Sequence, residues 1–564
     1  MLQSKHWRLL MGSMFFCVSN LFAQSDYIPL GHKQYQLIDR LDIKLRNDSV
    51  LGFTTMKMYE RRSITQRVAY LDSLDKLGIA PIPLSTIDRH NIQRLLASNR
   101  EWTSNYNAYN SRKNLWGTFF KSHGNMFEVH TNDFHLAVNP VLGIQLGNAN
   151  DGTGSTFVNT RGISIRGNIA GKLGFYTYLT DNQERQPLYV RQFVQKFTAV
   201  PGAAFYKTQE NNTVDYFDAR GGITFSAVNN KLNMMFAYDK LHLGNGIRSL
   251  FLSDFGAPYL FFKLKTRVWR FDYENVFTEM TASFRKTGTD RLLPKKYMTA
   301  HHISFNVAKW LNIGLYENVV FGRANGFELQ YLNPVIFYRA IEGNLGSPDK
   351  ATVGIDFKSN INKNVQLYGQ LVINEFVIDA IKQYSKGSWL NKHAAQLGFK
   401  YIDVAGINNL DLQVEYNWIR PFTYTHRDSI TSFTHYNQPL AHPLGASVRE
   451  IIAQLRYQPT PKLYLNAQLM MYKQGTDVNG RNYGSNIFLS YNTRARNDNL
   501  FVGSERAGNC TFIDVHAAYE ILENMFIDAS ATQRNYKLDG GASQNVFFFN
   551  LGVRANLARR SILL

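Results

Sequence analysis

From about Met126 onward, apolar and polar residues alternate with a period of two; before that point they do not. The clearest run is 410–418. Leu410, Leu412, Val414, Tyr416 and Trp418 fall on one side of a strand, and Asp411, Gln413, Glu415 and Asn417 fall on the other. One apolar and one polar face mark a sheet that separates two environments. Arg420-Pro421 ends the strand, because proline has no N–H for a ladder. The same alternation recurs at Ile163/Ile165 and Leu173/Phe175/Leu179 around an Ala170-Gly171 turn, and at Val353–Phe357 and Val365–Ile373 around Ile361–Asn364. It returns at Ala395–Tyr401, Leu463–Met471 and Ile513–Tyr519, and in a last, aromatic strand at 545–557.

Short turns such as VNNK, INKN, PTPK and LENM alternate with long connections at 183–218, 282–296, 376–393, 421–447 and 475–485. Short on one side and long on the other is how outer-membrane barrels distribute their turns and loops, and about 10 residues per span gives roughly 16 to 18 strands. The pattern therefore predicts an all-β fold: a transmembrane antiparallel β-barrel over 121–564. A lumen of that width is not filled by wall side chains alone, so loops, a plug or water must occupy it.

Residues 24–120 follow a different period. Leu37, Leu41 and Leu45 recur at helical spacing, as do Ile64, Val68, Leu71 and Leu74, which Gly78, Pro81 and Pro83 terminate. Ser85 with Asp88 resembles a capping box opening a third helix with Ile87, Ile92, Leu95 and Leu96 on one side. These predict a small helical periplasmic subdomain preceding the barrel. Ahead of it, Lys5, His6 and Arg8, an apolar Leu9–Phe22 and a site after Ala23 read as a signal peptide over 1–23, too short to span a bilayer comfortably.

Composition narrows the class. Loss of the leader leaves one cysteine, Cys510, so no internal disulfide can form, and no Cys/His set has zinc spacing. Aromatics are 14% of the chain, which suits a barrel with interfacial girdles. The net charge of +19, or +17 without Lys5 and Arg8, suits polyanions such as acidic polysaccharide and lipid phosphate; nucleic acid is not expected for an exported chain.

Inward polar positions Gln370, Lys400, Asp411, Gln413, Glu415 and Gln468 are expected to line the lumen. The loop after Pro421 is crowded with Tyr424, His426, Arg427, His435, Tyr436 and His442; with Arg420 these are the residues expected to contact a polymer. The histidines are too irregularly spaced for a metal site, and no catalytic motif is present, so neither cofactor, metal nor enzymatic activity is expected.

The stretches FGRANGFELQYLNPVIFYRAIEGN (321–344), YGQLVINEF (368–376), WLNKHAAQLGFKYID (389–403), VEYNWIRPFTYTH (414–426) and YNQPLAHPLGAS (436–447) resemble the Wzi-like capsule-assembly outer-membrane proteins, a group that includes gliding-motility barrels. MYERRSITQRVAYL resembles the helical segment preceding the barrel in that family. The resemblance implies a barrel of about 18 strands that retains capsular or exopolysaccharide at the cell surface. Outer-membrane lipid or lipopolysaccharide and other surface-assembly proteins would be its further partners. A porin or exporter channel, or a component of adhesion or gliding machinery, remain the alternatives.

Overall fold

The computed structural model describes residues 25–564 except 112–115, 229–230, 283–292, 324–325 and 376–383; the expected leader at 1–23 lies outside the described residues. Eighteen antiparallel strands close into one barrel, within the expected 16 to 18. They are β1 Phe134–Ala149, β2 Gly154–Ile169, β3 Leu173–Arg185, β4 Val214–Ala227, β5 Leu232–Asp239, β6 Tyr259–Val268, β7 Phe271–Thr281, β8 Lys295–Ala308 and β9 Leu311–Phe321. The second half comprises β10 Lys350–Asn360, β11 Val365–Glu375, β12 Lys392–Tyr401, β13 Leu410–Ile419, β14 Val448–Thr460, β15 Leu463–Gly475, β16 Ala507–Leu522, β17 Met525–Leu538 and β18 Ser543–Ala555.

The seam runs from Leu142↔Ala555 to Ala149↔Phe548, between β1 and β18. Below it, the start of β1 pairs instead with a short extra strand, Phe127–His130. Closure leaves no long row of unpaired backbone groups for another chain to extend. Ala170 and Gly171 both adopt left-handed φ, 52° and 60°, the geometry a two-residue hairpin needs. Outside, Leu146, Leu315, Leu397 and Leu551 are each more than half exposed. An apolar band of that extent is the face a barrel turns to lipid.

The lumen is not an open channel among the described residues, and it is filled in three places. The first is N-terminal. Helices α1 Gln34–Leu45, α2 Arg61–Lys76 and α3 Thr86–Ser98 share an apolar core of Leu37, Leu41, Ile64, Val68, Ile92 and Leu95 at the short-turn end. Ser85 and Asp88 form the expected capping box. The opposite face of α1 is polar and enters the barrel: Asp39 pairs with Lys400 at 2.7 Å and Asp42 with Lys358 at 2.7 Å. Arg40 bonds Asp411, Asp403 (2.8 Å) and Asp88 (3.1 Å), with Lys44 2.7 Å from Asp88. Burial alone would raise the Asp88 carboxyl, but Arg40 and Lys44 hold it well below the usual carboxylate range.

The second filling is the pair of connections 240–258 and 420–447, which fold inward. Leu243, Leu250, Phe251 and Leu252 pack with Tyr424, Phe433 and Leu440 against Met235, Met298, Tyr316 and Val372 of the wall, giving the barrel an apolar core. The third is the segment that follows β18. Residues 556–564 turn back up the lumen: Arg559 reaches Asp514, and Arg560 reaches Glu184 and Tyr216. The carbonyls of Ile562, Leu563 and Leu564 accept from Tyr189 Oη (3.1 Å), Arg248 Nη2 (3.1 Å) and Arg534 Nε (2.9 Å).

One connection goes the other way. Residues 326–349, which include a short helix at Tyr338–Asn344, lie on the outside of the wall. Tyr331, Tyr338 and Ile341 cover Tyr297, Val319, Phe321 and Ala351, outward residues of β8, β9 and β10.

Candidate functional site

The polar positions read as lumen-lining do point inward, but each meets protein rather than open water. At the short-turn end Lys400 and Asp411 are bound to α1. Gln413 Nε2 donates to Tyr368 Oη at 2.9 Å. Higher up, Gln370 brackets segment 240–258, accepting from Leu250 N (2.8 Å) and donating to Leu243 O (2.9 Å). Glu415 accepts from Ile247 N (2.7 Å), Arg248 N (3.0 Å), Tyr368 Oη (3.0 Å) and Asn417 Nδ2 (2.8 Å). The glycine in Gly244-Asn245-Gly246 is needed here, because a Cβ on Gly246 would run into the Glu415 carboxylate. Gln468 is buried on β15 between Gln454 and Asp514.

The loop residues are placed differently from the expected surface. Arg420, Tyr424, His426, His435, Tyr436 and His442 are all buried, and Arg427 alone of the seven is exposed. Arg420 Nε donates to Asn391 O at 2.9 Å and its Nη2 to Ser388 O and Leu500 O at 3.3 Å, so it ties three connections together. Tyr424 Oη donates to Leu250 O at 2.8 Å, and Tyr436 N bonds Thr281 O at 3.1 Å. His426 Nδ1 lies 2.6 Å from Thr431 Oγ1. His442 Nε2 contacts Glu450 at 2.8 Å, which also pairs with Arg248 at 2.9 Å. The physical reason is simple. An aromatic-rich, proline-punctuated loop beside a wide lumen gains more by burying its rings there than by leaving them in water.

What the loop end does present is a cluster the alternation could not reveal. Trp389, from the connection before β12, and Tyr491, from 476–506, have ring centroids 5.0 Å apart. Lys392 Nζ sits 3.6 Å from the Tyr491 centroid and 4.5 Å from that of Trp389, and pairs with Glu375 at 2.8 Å. The Arg494 guanidinium stacks on Trp389 at 4.0 Å. Both rings stay partly exposed, and Arg427, whose carbonyl accepts from Ser490 Oγ at 2.6 Å, is exposed beside Tyr491. Planar rings beside guanidinium and ammonium groups can hold a pyranose face and its carboxylate or phosphate at once. The signal that could have found them is Tyr-Asn-Thr-Arg-Ala-Arg (491–496) in a connection far longer than a turn requires. Among the described residues, no group of three or more His, Cys, Asp or Glu side chains is placed to hold a metal ion.

No protein-family model matches the chain, and no curated protein matches it. Solved structures do. The chain is similar to Wzi, an outer-membrane protein involved in group 1 capsule assembly in Escherichia coli and a carbohydrate-binding β-barrel, with TM-score 0.54 at 13% identity over 96% of this chain and 100% of that one. It is also similar to Pseudomonas aeruginosa OprD (TM-score 0.39, 10% identity, 74% of this chain and 94% of that one). Acinetobacter baumannii OccAB2 gives TM-score 0.39 at 10% identity over 74% and 97%. The match to Wzi shows the fold, an outer-membrane-type β-barrel.

Proposed function

We propose that this chain is a sealed outer-membrane barrel that holds an acidic capsular or exopolysaccharide at its long-loop end. The observation that carries this reading is the filled lumen. Segments 240–258, 420–447 and 556–564 and helix α1 occupy the space that a porin leaves to water. A barrel with no water path has its loop surface to work with, and there the exposed chemistry is aromatic and cationic. The carbohydrate binding of Wzi supports the ligand class. The short-turn end, with helices α1–α3, is then periplasmic, and 24–120 acts as the seal of the barrel 121–564.

Two measurements on the purified protein test this. Planar-bilayer recordings should show no large open conductance. Binding to the acidic surface polysaccharide of the producing cell should fall at least tenfold in Arg494→Ala and in a Trp389→Ala/Tyr491→Ala double variant, the equivalent of about 1.4 kcal/mol. Steady open currents from the unmodified protein would favour a porin. Undiminished binding by both variants would remove the rim from the mechanism.

A further inference from the structure

The outward faces of β7, β8 and β9 carry a patch that does not belong on a wall turned to lipid. Glu317, Thr299 and Asn275 all point outward there and are buried. His301 Nε2 lies 2.9 Å from Glu317, and Tyr273 Oη lies 3.2 Å from His301 Nδ1. A carboxylate on the lipid side of a transmembrane strand is costly unless something covers it. Residues 326–349 are that cover. Glu317 accepts from the backbone N–H groups of Tyr338 (2.9 Å) and Arg339 (2.8 Å), and Tyr273 Oη donates to Pro334 O.

The connection reaches far down the wall. Tyr273 is the third residue of β7, eight residues below the strand's upper end at Thr281. At about 3.3 Å per residue and a tilt near 40°, that places it roughly 20 Å below the loop end. Just beneath it lie Trp269, Phe271 and Phe305, with ring centroids within 6.0 Å of one another, as an interfacial girdle. The deepest part of the connection is also built for a place without water. Pro334 has no N–H, Val335 N is capped by Asn333 Oδ1 at 3.1 Å, and Glu317 takes the first two donors of helix α4, Tyr338–Asn344. Its free face, meanwhile, is dominated by apolar side chains: Val335 is 82%, Leu329 71% and Phe337 55% exposed, with Gln330, Asn333 and the Arg339 paired to Glu342 as its exposed polar groups.

We propose that residues 327–341 form a strap embedded in the bilayer, whose Leu329, Leu332, Val335, Ile336 and Phe337 are in contact with lipid acyl chains. This inference rests on the barrel being in a membrane. The strap converts a polar stretch of wall into an apolar one, continuous with the lipid face at Leu315 and Ile355, both exposed on the strands beneath it.

The test attaches an environment-sensitive fluorophore to Val335→Cys in the full-length protein, reconstituted in vesicles whose lipids carry brominated acyl chains. The native Cys510 is buried and does not compete. Leu397→Cys, on β12 away from the strap, reports the wall, and Asn492→Cys reports the aqueous rim. Brominated lipid should quench positions 335 and 397 alike, and soluble iodide should quench only 492. Iodide quenching at 335 with lipid quenching at 397 overturns the strap while leaving the barrel in place. Loss of lipid quenching at 397 as well overturns both. Protection of 335 from both quenchers, with a disulfide forming between two copies of the unlabelled Val335→Cys variant under oxidant, would assign the face to a second subunit and overturn acyl contact.

Discussion

Glu415 takes four hydrogen bonds, two of them from the backbone of the segment it anchors. Glu415→Gln would set an amide NH2 against one of those donors, leaving buried groups unpaired at about 1–3 kcal/mol each. Hydrogen exchange at Ile247 and Arg248 should accelerate while the barrel stays folded; unchanged exchange would mean that Glu415 does not hold the segment. The loop histidines make a second prediction. His435 Nδ1 accepts from Thr281 N at 3.0 Å and Nε2 donates to Pro258 O at 3.1 Å, a pairing only the neutral ring satisfies. Burial lowers His435 to about 4 and, with Lys350 and Arg427 nearby, His426 to about 3. A released loop would titrate near the ordinary 6.5, so the packed form keeps its full stability above that value and loses it as pH falls toward 4. Protease should cut 420–447 faster at pH 5 than at pH 7.5, and His435→Gln, which keeps donor and acceptor without a charge, should blunt the difference. Equal cleavage at both pH values would remove histidine from the account. At this scale the sequence was informative about direction and silent about partners. Parity along 410–418 put Asp411, Gln413 and Glu415 on the inner face, yet a carboxylate facing water and one facing a folded segment have the same parity.

Elements with a period could be read, and those without one could not. Leu37, Leu41 and Leu45 announce α1, and Ser85 with Asp88 announces α3, because helix geometry ties spacing to burial. That the opposite face of α1 would enter the barrel was not legible, since Asp39 and Arg40 look like ordinary solvated charges until Lys400 and Asp411 are beside them. Segment 240–258 has Leu241, Leu243, Leu250, Phe251 and Leu252 at no fixed interval, so nothing in its spacing says that it turns inward. Two substitutions probe these elements. Arg40→Met would leave Asp88, Asp403 and Asp411 with Lys44 as their nearby cation, at a cost of about 3–5 kcal/mol. Its N-terminal helices should become protease-sensitive while the strands retain their circular dichroism, and wild-type resistance would show that the network is not the tether. Gly246→Ala should loosen the 240–258 segment as Glu415→Gln does, by steric rather than hydrogen-bond loss.

For the molecule as a whole, the alternation gave strand number and two faces, since both follow from what each side of a wall touches. What fills the interior did not follow, because any lumen of this width accepts water or protein equally well by pattern alone. If protein fills it, removing some should let ions through: deletion of 557–564 strips partners from Arg248, Arg534 and Tyr189, and stepwise bilayer currents should appear that the intact chain lacks. Silence from that deletion would mean that the inward connections seal the barrel by themselves. The route by which residues 556–564 enter has its own consequence. They follow the last strand of the seam directly, and they bond side chains on both sides of it, from Glu184 on β3 to Asp514 on β16. Arg40 likewise meets Asp411 across 371 residues of chain. Contacts so distant in sequence form slowly, yet a ring that zips first would shut its own cargo out. Loading ahead of closure is therefore the expected order of assembly, and a mutation that hurries the β1–β18 seam should yield barrels that are complete in outline and hollow within.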